Sequence, residues 1–304
     1  MQKYINPYTD FGFKKLFGEE ANRDILIDFL NTFLPERHRV KSLKFRNTEQ
    51  FGLISADRKA IFDIFCEAEN GERFIVEMQK AKQLYFKDRA LFYAAFPIRE
   101  QAEQGDEWKL QLQAVYFVGI LDFEYDEKEE RRKFLRDVTL KDQDGDLFFD
   151  KLHLIFLQMP LFTKTESELE DHRDKWFYFL KNLTSFDQIP AILRESVFEK
   201  AFETAEIARM DKLEYQRYQA NVKVYRDNYA VMETARIEGE EKGLAKGLAE
   251  GRAEGRAEGR AEGIEIGETK KAIDIARSLK NEGLDPAFIA KMTGLSPEEI
   301  ERLD

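Results

Sequence analysis

Ile61-Phe62-Asp63-Ile64-Phe65-Cys66-Glu67-Ala68-Glu69-Asn70-Gly71-Glu72-Arg73-Phe74-Ile75-Val76-Glu77-Met78-Gln79 decides the fold. Two apolar runs meet at Asn70-Gly71, the dipeptide that most strongly signals a β-hairpin. A two-residue turn would pair Phe62 with Gln79 and Ile64 with Glu77, so every cross-strand pair would mix polar with apolar. A three-residue loop over Glu69, Asn70 and Gly71, with Gly71 left-handed as a bulge, shifts the register by one. Phe62 then faces Met78, Ile64 faces Val76 and Cys66 faces Phe74, while the other face pairs Asp63 with Glu77 and Glu67 with Arg73. Burial selects this register, because a one-residue slip exchanges the faces. Like charges directly opposite are destabilising unless compensated. A divalent cation compensates two carboxylates, and Mg²⁺ is held by one or two of them plus waters and substrate phosphate. Asp63 and Glu77, with Gln79 beside them, therefore suggest metal-dependent phosphodiester chemistry. A surface hairpin with a solvated polar face is the plainer alternative.

Outward from the hairpin, Asn22 to Phe33 reads as a helix with Ile25, Leu26, Phe29, Leu30 and Phe33 as its apolar stripe. Val40 to Phe45 reads as a strand. Leu84 to Gln104 reads as a helix, kinked or interrupted at Pro97, with Leu84, Leu91, Ala95, Ile98 and Ala102 as its buried face. Leu110 to Phe123 is a further strand. This order predicts an α/β fold of the α+β type, a mixed sheet flanked by helices.

These residues resemble the PD-(D/E)XK nuclease superfamily, in particular its transposase-like branch, which includes the recombination-promoting nucleases. The resemblance is carried by Asn6-Pro7-Tyr8-Thr9-Asp10-Phe11-Gly12-Phe13-Lys14-Lys15-Leu16-Phe17, by Phe62-Asp63-Ile64 and Val76-Glu77-Met78-Gln79-Lys80, by Asp88-Arg89-Ala90-Leu91-Phe92-Tyr93 and by the strand Val115 to Phe123. It implies a restriction-endonuclease-like sheet and a Mg²⁺-dependent (or Mn²⁺-dependent) DNA endonuclease, recombination-promoting or transposase-like. In such enzymes the Asp and Glu, here Asp63 and Glu77, hold the metal, and the third position orients the attacking water. That position is Gln79 where the superfamily motif has Lys; this branch often reads Glu-x-Gln. An amide supplies no positive charge to the transition state, so catalysis is weaker or a cation comes from elsewhere. The alternative is a non-catalytic nucleic-acid-binding or assembly protein that keeps the fold.

Around this set, Arg89 and Tyr93 lie four apart on one helix face, and with Lys80 they are placed near phosphate. Asp10 and Lys14 share the same spacing; Asp10 assists the metal or holds Lys14 in a local ion pair. Phe11, Phe13 and Phe17 read as core. Cys66, the only cysteine, reads as core packing and excludes an intrachain disulfide. His38, His153 and His172 are scattered without zinc-ligand spacing. The net charge of −11 argues against nucleic acid. Yet Lys14, Lys15, Lys80, Lys82, Lys87, Arg89 and Arg99 cluster in the blocks around the hairpin, while acid concentrates in Asp122 to Glu130, Glu166 to Asp171 and the tail. This clustering suggests a basic groove on an acidic protein, with DNA as partner; solvated helix faces are the plainer alternative. No membrane-length apolar run and no apolar leader occur, which fits a cytoplasmic protein.

The chain of 304 residues divides, on this reading, into a nuclease-like core over 1–160, a helical appendage over 161–235, a repeat over 236–268 and a small helical module over 269–304. Arg132 to Leu140 and Leu152 to Met159 add strands or an edge extension. Glu168 to Leu183 reads as a helix anchored by Trp176, Phe177 and Leu180, and Ile189 to Thr234 is helical and charged. Glycine recurs every four residues from Gly239 to Gly267 around an inner unit Gly-Arg-Ala-Glu. Each glycine costs a helix about 1 kcal/mol relative to alanine, and like charges four apart repel. Two such helices side by side approach closely and match Arg stripes to Glu stripes, so the repeat reads as a self-association element, or as a low-complexity linker. In the last module Gly294 marks a turn and Ser296 a cap, a helix-turn-helix pattern. Glu298, Glu299 and Glu301 on its second helix favour a protein-contact or regulatory role over base reading.

Overall fold

A computed structural model describes residues 2–50, 60–82, 85–102, 111–125 and 133–303. The expected helix start at Leu84, its end at Gln104, the expected strand start at Leu110 and part of the acidic run Asp122 to Glu130 lie outside the described residues. Two compact units are present, Met1–Arg226 and Asp227–Asp304.

The first unit is built on a six-stranded mixed sheet. Its strands are β1 (Leu43–Phe45), β4 (Ile64–Ala68), β5 (Arg73–Gln79), β6 (Val115–Leu121), β7 (Leu135–Lys141) and β8 (Leu147–Gln158), in the order β1-β4-β5-β6-β8-β7. β5, β6 and β8 run parallel, and the pairs β1/β4, β4/β5 and β7/β8 are antiparallel. A two-stranded ladder, β2 (Glu49–Gln50) with β3 (Ala60–Ile61), stands apart from it. All seven residues of β6 are buried, as a central strand covered on both faces requires.

The hairpin adopts the expected register, with Ile64 opposite Val76, Cys66 opposite Phe74 and Glu67 opposite Arg73. Ala68 N–H donates to the Glu72 carbonyl at 2.8 Å, and Gly71 sits at φ 83°, the left-handed bulge that three loop residues demand. One pairing differs. Phe62 does not share Met78's face; it packs with Phe65, Phe86 and Phe96. The reason is local: β4 begins only at Ile64, and the Asp63 N–H bonds to the Glu77 carboxylate rather than to the ladder.

One sheet face is covered by α3 (Phe86–Ala102). Its buried side is only partly the expected one: Phe86, Ala90, Ala94 and Phe96 are buried and Ile98 packs against the same cluster, whereas Leu91 is 54 % exposed and Ala95 is exposed. Small Ala90 and Ala94 let the helix settle onto the sheet, which Leu at those positions would prevent. The helix runs through Pro97 without interruption, and Arg73 reaches up from β5 to donate to the Pro97 carbonyl at 2.7 Å and to pair with Glu100 at 2.9 Å. The other face carries α1 (Asp10–Phe17), α2 (Arg23–Asn31), α4 (His172–Asn182), α5 (Ser196–Ala205) and the start of α6 (Lys212–Asn281). Trp176, Phe177, Phe198 and Phe202 from α4 and α5 share one cluster with Phe13, Phe17 and Phe29.

In the second unit, Ala276 of α6, Ile289 of α7 (Pro286–Thr293) and Ile300 of α8 (Pro297–Glu301) form a small core. Gly294 ends α7 at φ 75°, and Ser296 caps α8 in a capping box with Glu299. No described helix is long and apolar enough to cross a membrane.

Candidate active site

The site lies where β5 and β6 end and β4 begins. Asp63 N–H donates to Glu77 Oε1 at 2.9 Å, and Met78 N–H donates back to Asp63 Oδ2 at 2.9 Å. Each residue's backbone or neighbour thus positions the other's carboxylate, which locks the two together. Glu77 is 4 % exposed and Asp63 half-buried. Burial raises both carboxyl groups above their usual range, and for Glu77 the charge of Asp63 adds to it. Gly119, the residue paired with Glu77 on β6, is closely packed: a Cβ there would come within 3.1 Å of the Phe156 ring.

Gln79, 7 % exposed, bridges the next layer. Its Nε2 donates to Glu77 Oε2 at 3.0 Å, and its Oε1 accepts from the Arg89 guanidinium of α3. Arg89 in turn stacks on the Tyr93 ring, 5.6 Å from its centroid, and Tyr93 packs edge-on against Phe62. The cation that Gln79 lacks is therefore delivered to it from the following helix. Lys80 is half-buried, and burial lowers its ammonium despite the fields of Asp10 and Asp63.

Asp10 and Lys14 arrive from α1. They form an ion pair at 2.8 Å. Burial opposes the Lys14 charge, but the hydrogen bond to Asp10 and the fields of Asp10, Asp63 and Glu77 hold it above its usual value. The opening motif explains how α1 is fixed. Thr9 Oγ1 donates to the Asn6 carbonyl at 2.7 Å and accepts from Gly12 N–H at 3.0 Å, and Asn6 Oδ1 accepts from Tyr8 N–H at 2.9 Å. Gly12 faces the Asn6 carbonyl so closely that a Cβ would stand 2.1 Å from it.

All the residues expected at the site, Asp10, Lys14, Asp63, Glu77, Gln79, Lys80, Arg89 and Tyr93, thus lie on adjoining elements, linked by these contacts and fields. A cleft of about 510 Å³ opens beside Asp63, lined also by Asp10, Lys14, Lys15, Arg46, Arg217 and Asn221. Arg46 and Arg217 were not legible in advance, and neither was the wall that α6 makes. Tyr218 Oη accepts from Asn6 N–H at 2.9 Å, Asn221 Oδ1 accepts from Phe11 N–H at 3.3 Å, and Glu214 pairs with Lys15 at 2.6 Å. Farther along, Tyr225 donates to Asp122 at 3.0 Å, and the Asp122 N–H donates to the Gln79 carbonyl at 2.9 Å. In the sequence Glu214, Tyr218, Asn221 and Tyr225 show only as part of a charged helical stretch, spaced three and four apart, which does not name a partner.

Among the described residues no group of three or more His, Cys, Asp or Glu is arranged to hold a metal ion. Asp63 and Glu77 offer a set of two carboxylates, all oxygen and held close by mutual hydrogen bonds. Such a set suits a hard cation that keeps several waters, and it does not suit zinc.

The model of the Rpn/YhgA-like nuclease family, C-terminal HTH domain, matches residues 269–304. Searches of curated proteins and of solved structures find no match. The model of the PD-(D/E)XK nuclease family transposase matches residues 7–235, most of the chain, and the chain belongs to that family.

Proposed function

We propose that the protein is a divalent-metal-dependent DNA endonuclease, recombination-promoting or transposase-like, working with Mg²⁺ or Mn²⁺. The observation that carries this reading is the Asp63–Glu77 pair, held together by reciprocal hydrogen bonds from backbone N–H groups across the hairpin and raised in pKa chiefly by burial, although Lys14 and Arg89 lie near. Asp63 and Glu77 are the metal-holding residues. A bound divalent ion would supply Lewis-acid stabilisation and a more acidic water.

The chain's own residues supply the rest. Gln79, fixed at both ends of its amide, orients the attacking water. Arg89 brings positive charge to that position through Gln79, where the developing charge on the phosphate needs it. Lys80 and Lys14 meet phosphate oxygens, and Asp10 keeps Lys14 aimed. Tyr93 braces Arg89 by stacking. Nucleic acid enters along the cleft beside Asp63, whose rim carries Lys14, Lys15, Arg46 and Arg217. The repeat from Gly239 to Gly267 is the self-association element, and a cytoplasmic site of action fits the reading.

A second reading is favoured by one observation. Both polar ends of Gln79 are already engaged by protein groups, which is also what a purely structural Gln would do. That reading keeps the fold as a non-catalytic nucleic-acid-binding or assembly protein. Cleavage of supercoiled plasmid decides between them, with Mg²⁺, Mn²⁺ or EDTA, beside Asp63→Ala and Glu77→Ala shown to be folded. Metal-dependent nicking lost in both variants is the expected result. Equal nicking by wild type and variants, or none by any form with no metal-dependent thermal shift, overturns the endonuclease reading.

A further inference from the structure

In the second unit, residues 234–271 are all exposed. A Cβ added at any glycine from Gly239 to Gly267 would meet nothing within 4 Å outside the helix's own nearby backbone. Leu244, Leu248, Ile264 and Ile266 are 54–76 % exposed along the same stretch. A helix face this open and this patterned lacks a partner, and its charges identify one.

Each residue turns the helix by about 100°. The residue after each glycine therefore falls on one flank of the glycine stripe, and the residue three after falls on the other. In the inner repeats the first flank carries Arg252, Arg256 and Arg260, and the second carries Glu254, Glu258 and Glu262. Toward both ends the signs reverse together, with Glu240 opposite in flank to Lys242 and Glu268 to Lys270. At Gly263 both flanks are apolar, Ile264 and Ile266. Within one chain the inner charges cannot pair. Their neighbours at i+4 bear the same sign, and the ion pairs nearest them, Lys242–Glu238 and Lys246–Glu250, stop short of the inner repeats among the described residues.

Two copies meeting stripe to stripe have two possible directions. Parallel and in register, a two-fold axis along the helices sets the first flank of each copy against the second flank of the other. Arg252 then meets Glu254, Arg256 meets Glu258, Arg260 meets Glu262, and the reversed end rows match as well. Antiparallel, each flank meets itself: Arg252 falls near Arg256, Glu254 near Glu258, and Glu240 near Glu268. The inner Arg and Glu rows and both end rows are matched in the parallel direction and meet like charge in the antiparallel one, while Lys246 and Glu250 face Leu244 and Leu248 in the parallel pair. A repeat of four exceeds the helical period of 3.6, so the stripe drifts about 40° per unit, and a pair that follows it wraps with right-handed sense.

We infer that the repeat docks a second copy of this chain in parallel, in register and with a right-handed wrap. This rests on the reading of the repeat as a self-association element and adds its geometry. The test uses the full chain carrying Gly247→Cys or Gly259→Cys, because the native Cys66 is fully buried and does not compete. The two positions are about 18 Å apart along a helix, beyond the reach of a disulfide. Under mild oxidation each variant is expected to cross-link to itself, and a mixture is expected to give no 247-to-259 product, with a dimeric mass by sedimentation. A dimer that cross-links only in the mixture overturns the parallel geometry and leaves self-association standing. A dimer with no cross-link in any combination overturns this face as the contact, and a monomer overturns both readings.

Discussion

Asp63→Asn in the metal-free protein isolates the electrostatics of the site. Asn keeps the oxygen that accepts from Met78 N–H and removes the charge beside Glu77. In the native fold both carboxyls titrate above their ordinary range, chiefly through burial. A carboxyl whose folded pKa is raised binds more protons folded than unfolded, so stability is lost as pH rises from about 4.5 toward the folded pKa. If the pair retains one extra proton across that window, the slope is about 1.4 kcal/mol per pH unit. Because Asp63 is only half-buried, solvent screening lowers the fraction of a proton retained to about 0.7, a slope of about 1 kcal/mol per unit, or about 2 kcal/mol between pH 5.5 and 7.5. His153 and His172, raised chiefly by hydrogen bonds to Asp137 and Asp28, lose stability in the same direction. The relevant quantity is therefore the difference between wild type and variant. Urea melts in EDTA at pH 5.5, 6.5 and 7.5 measure it, and Asp63→Asn is expected to flatten the profile. Saturating Mg²⁺ should flatten the wild type too. Parallel profiles for the two proteins would refute the coupling of Asp63 to Glu77.

Gly12→Ala should cost about 3 kcal/mol or more in urea unfolding, combining overpacking against the Asn6 carbonyl with loss of the Thr9 cap; a change under 1 kcal/mol contradicts the contact. Arg89→Ala should lower the rate of plasmid nicking by about 100-fold at unchanged fold, and Arg89→Lys should recover only part of it, since the stack on Tyr93 needs a planar cation. Tyr225→Phe should destabilise by about 1 kcal/mol. The cost should grow with pH, because Asp122, already raised by burial, loses the hydrogen bond that favours its charged form; an identical cost at pH 5 and 8 excludes that account.

The hairpin could be read in advance because strand faces repeat with period two, and one register alone separates Ile64, Cys66, Phe74 and Val76 from the carboxylates. The opening motif was recognisable, though the reason for its glycine is a backbone carbonyl from Asn6 that no local pattern displays. On α3 apolar residues surround much of the helix, so the larger Leu91 joined Ile98 in the expected stripe; Ile98 does pack on the cluster, whereas close approach to the sheet selected Ala90 and Ala94 over Leu91. Arg46, Arg217, Asn221 and Tyr225 reach the site through tertiary packing of distant segments, and sequence spacing carries no trace of that.

The turn at Glu69-Asn70-Gly71 closes the far end of the hairpin, several residues from the carboxylates it serves. Its sequence has some latitude, provided one residue accepts positive φ and the Asn70 side chain's bond from Glu72 N–H is kept or replaced, but its length has none. Adding or removing a single residue there would exchange the faces of β5 against β4, carrying Glu77 away from Asp63 and Val76 into its place. A loop that contributes no side chain to the candidate site thus acts as a parity check on it. Point changes in it should be mild, while one-codon insertions or deletions should be as damaging as loss of a carboxylate.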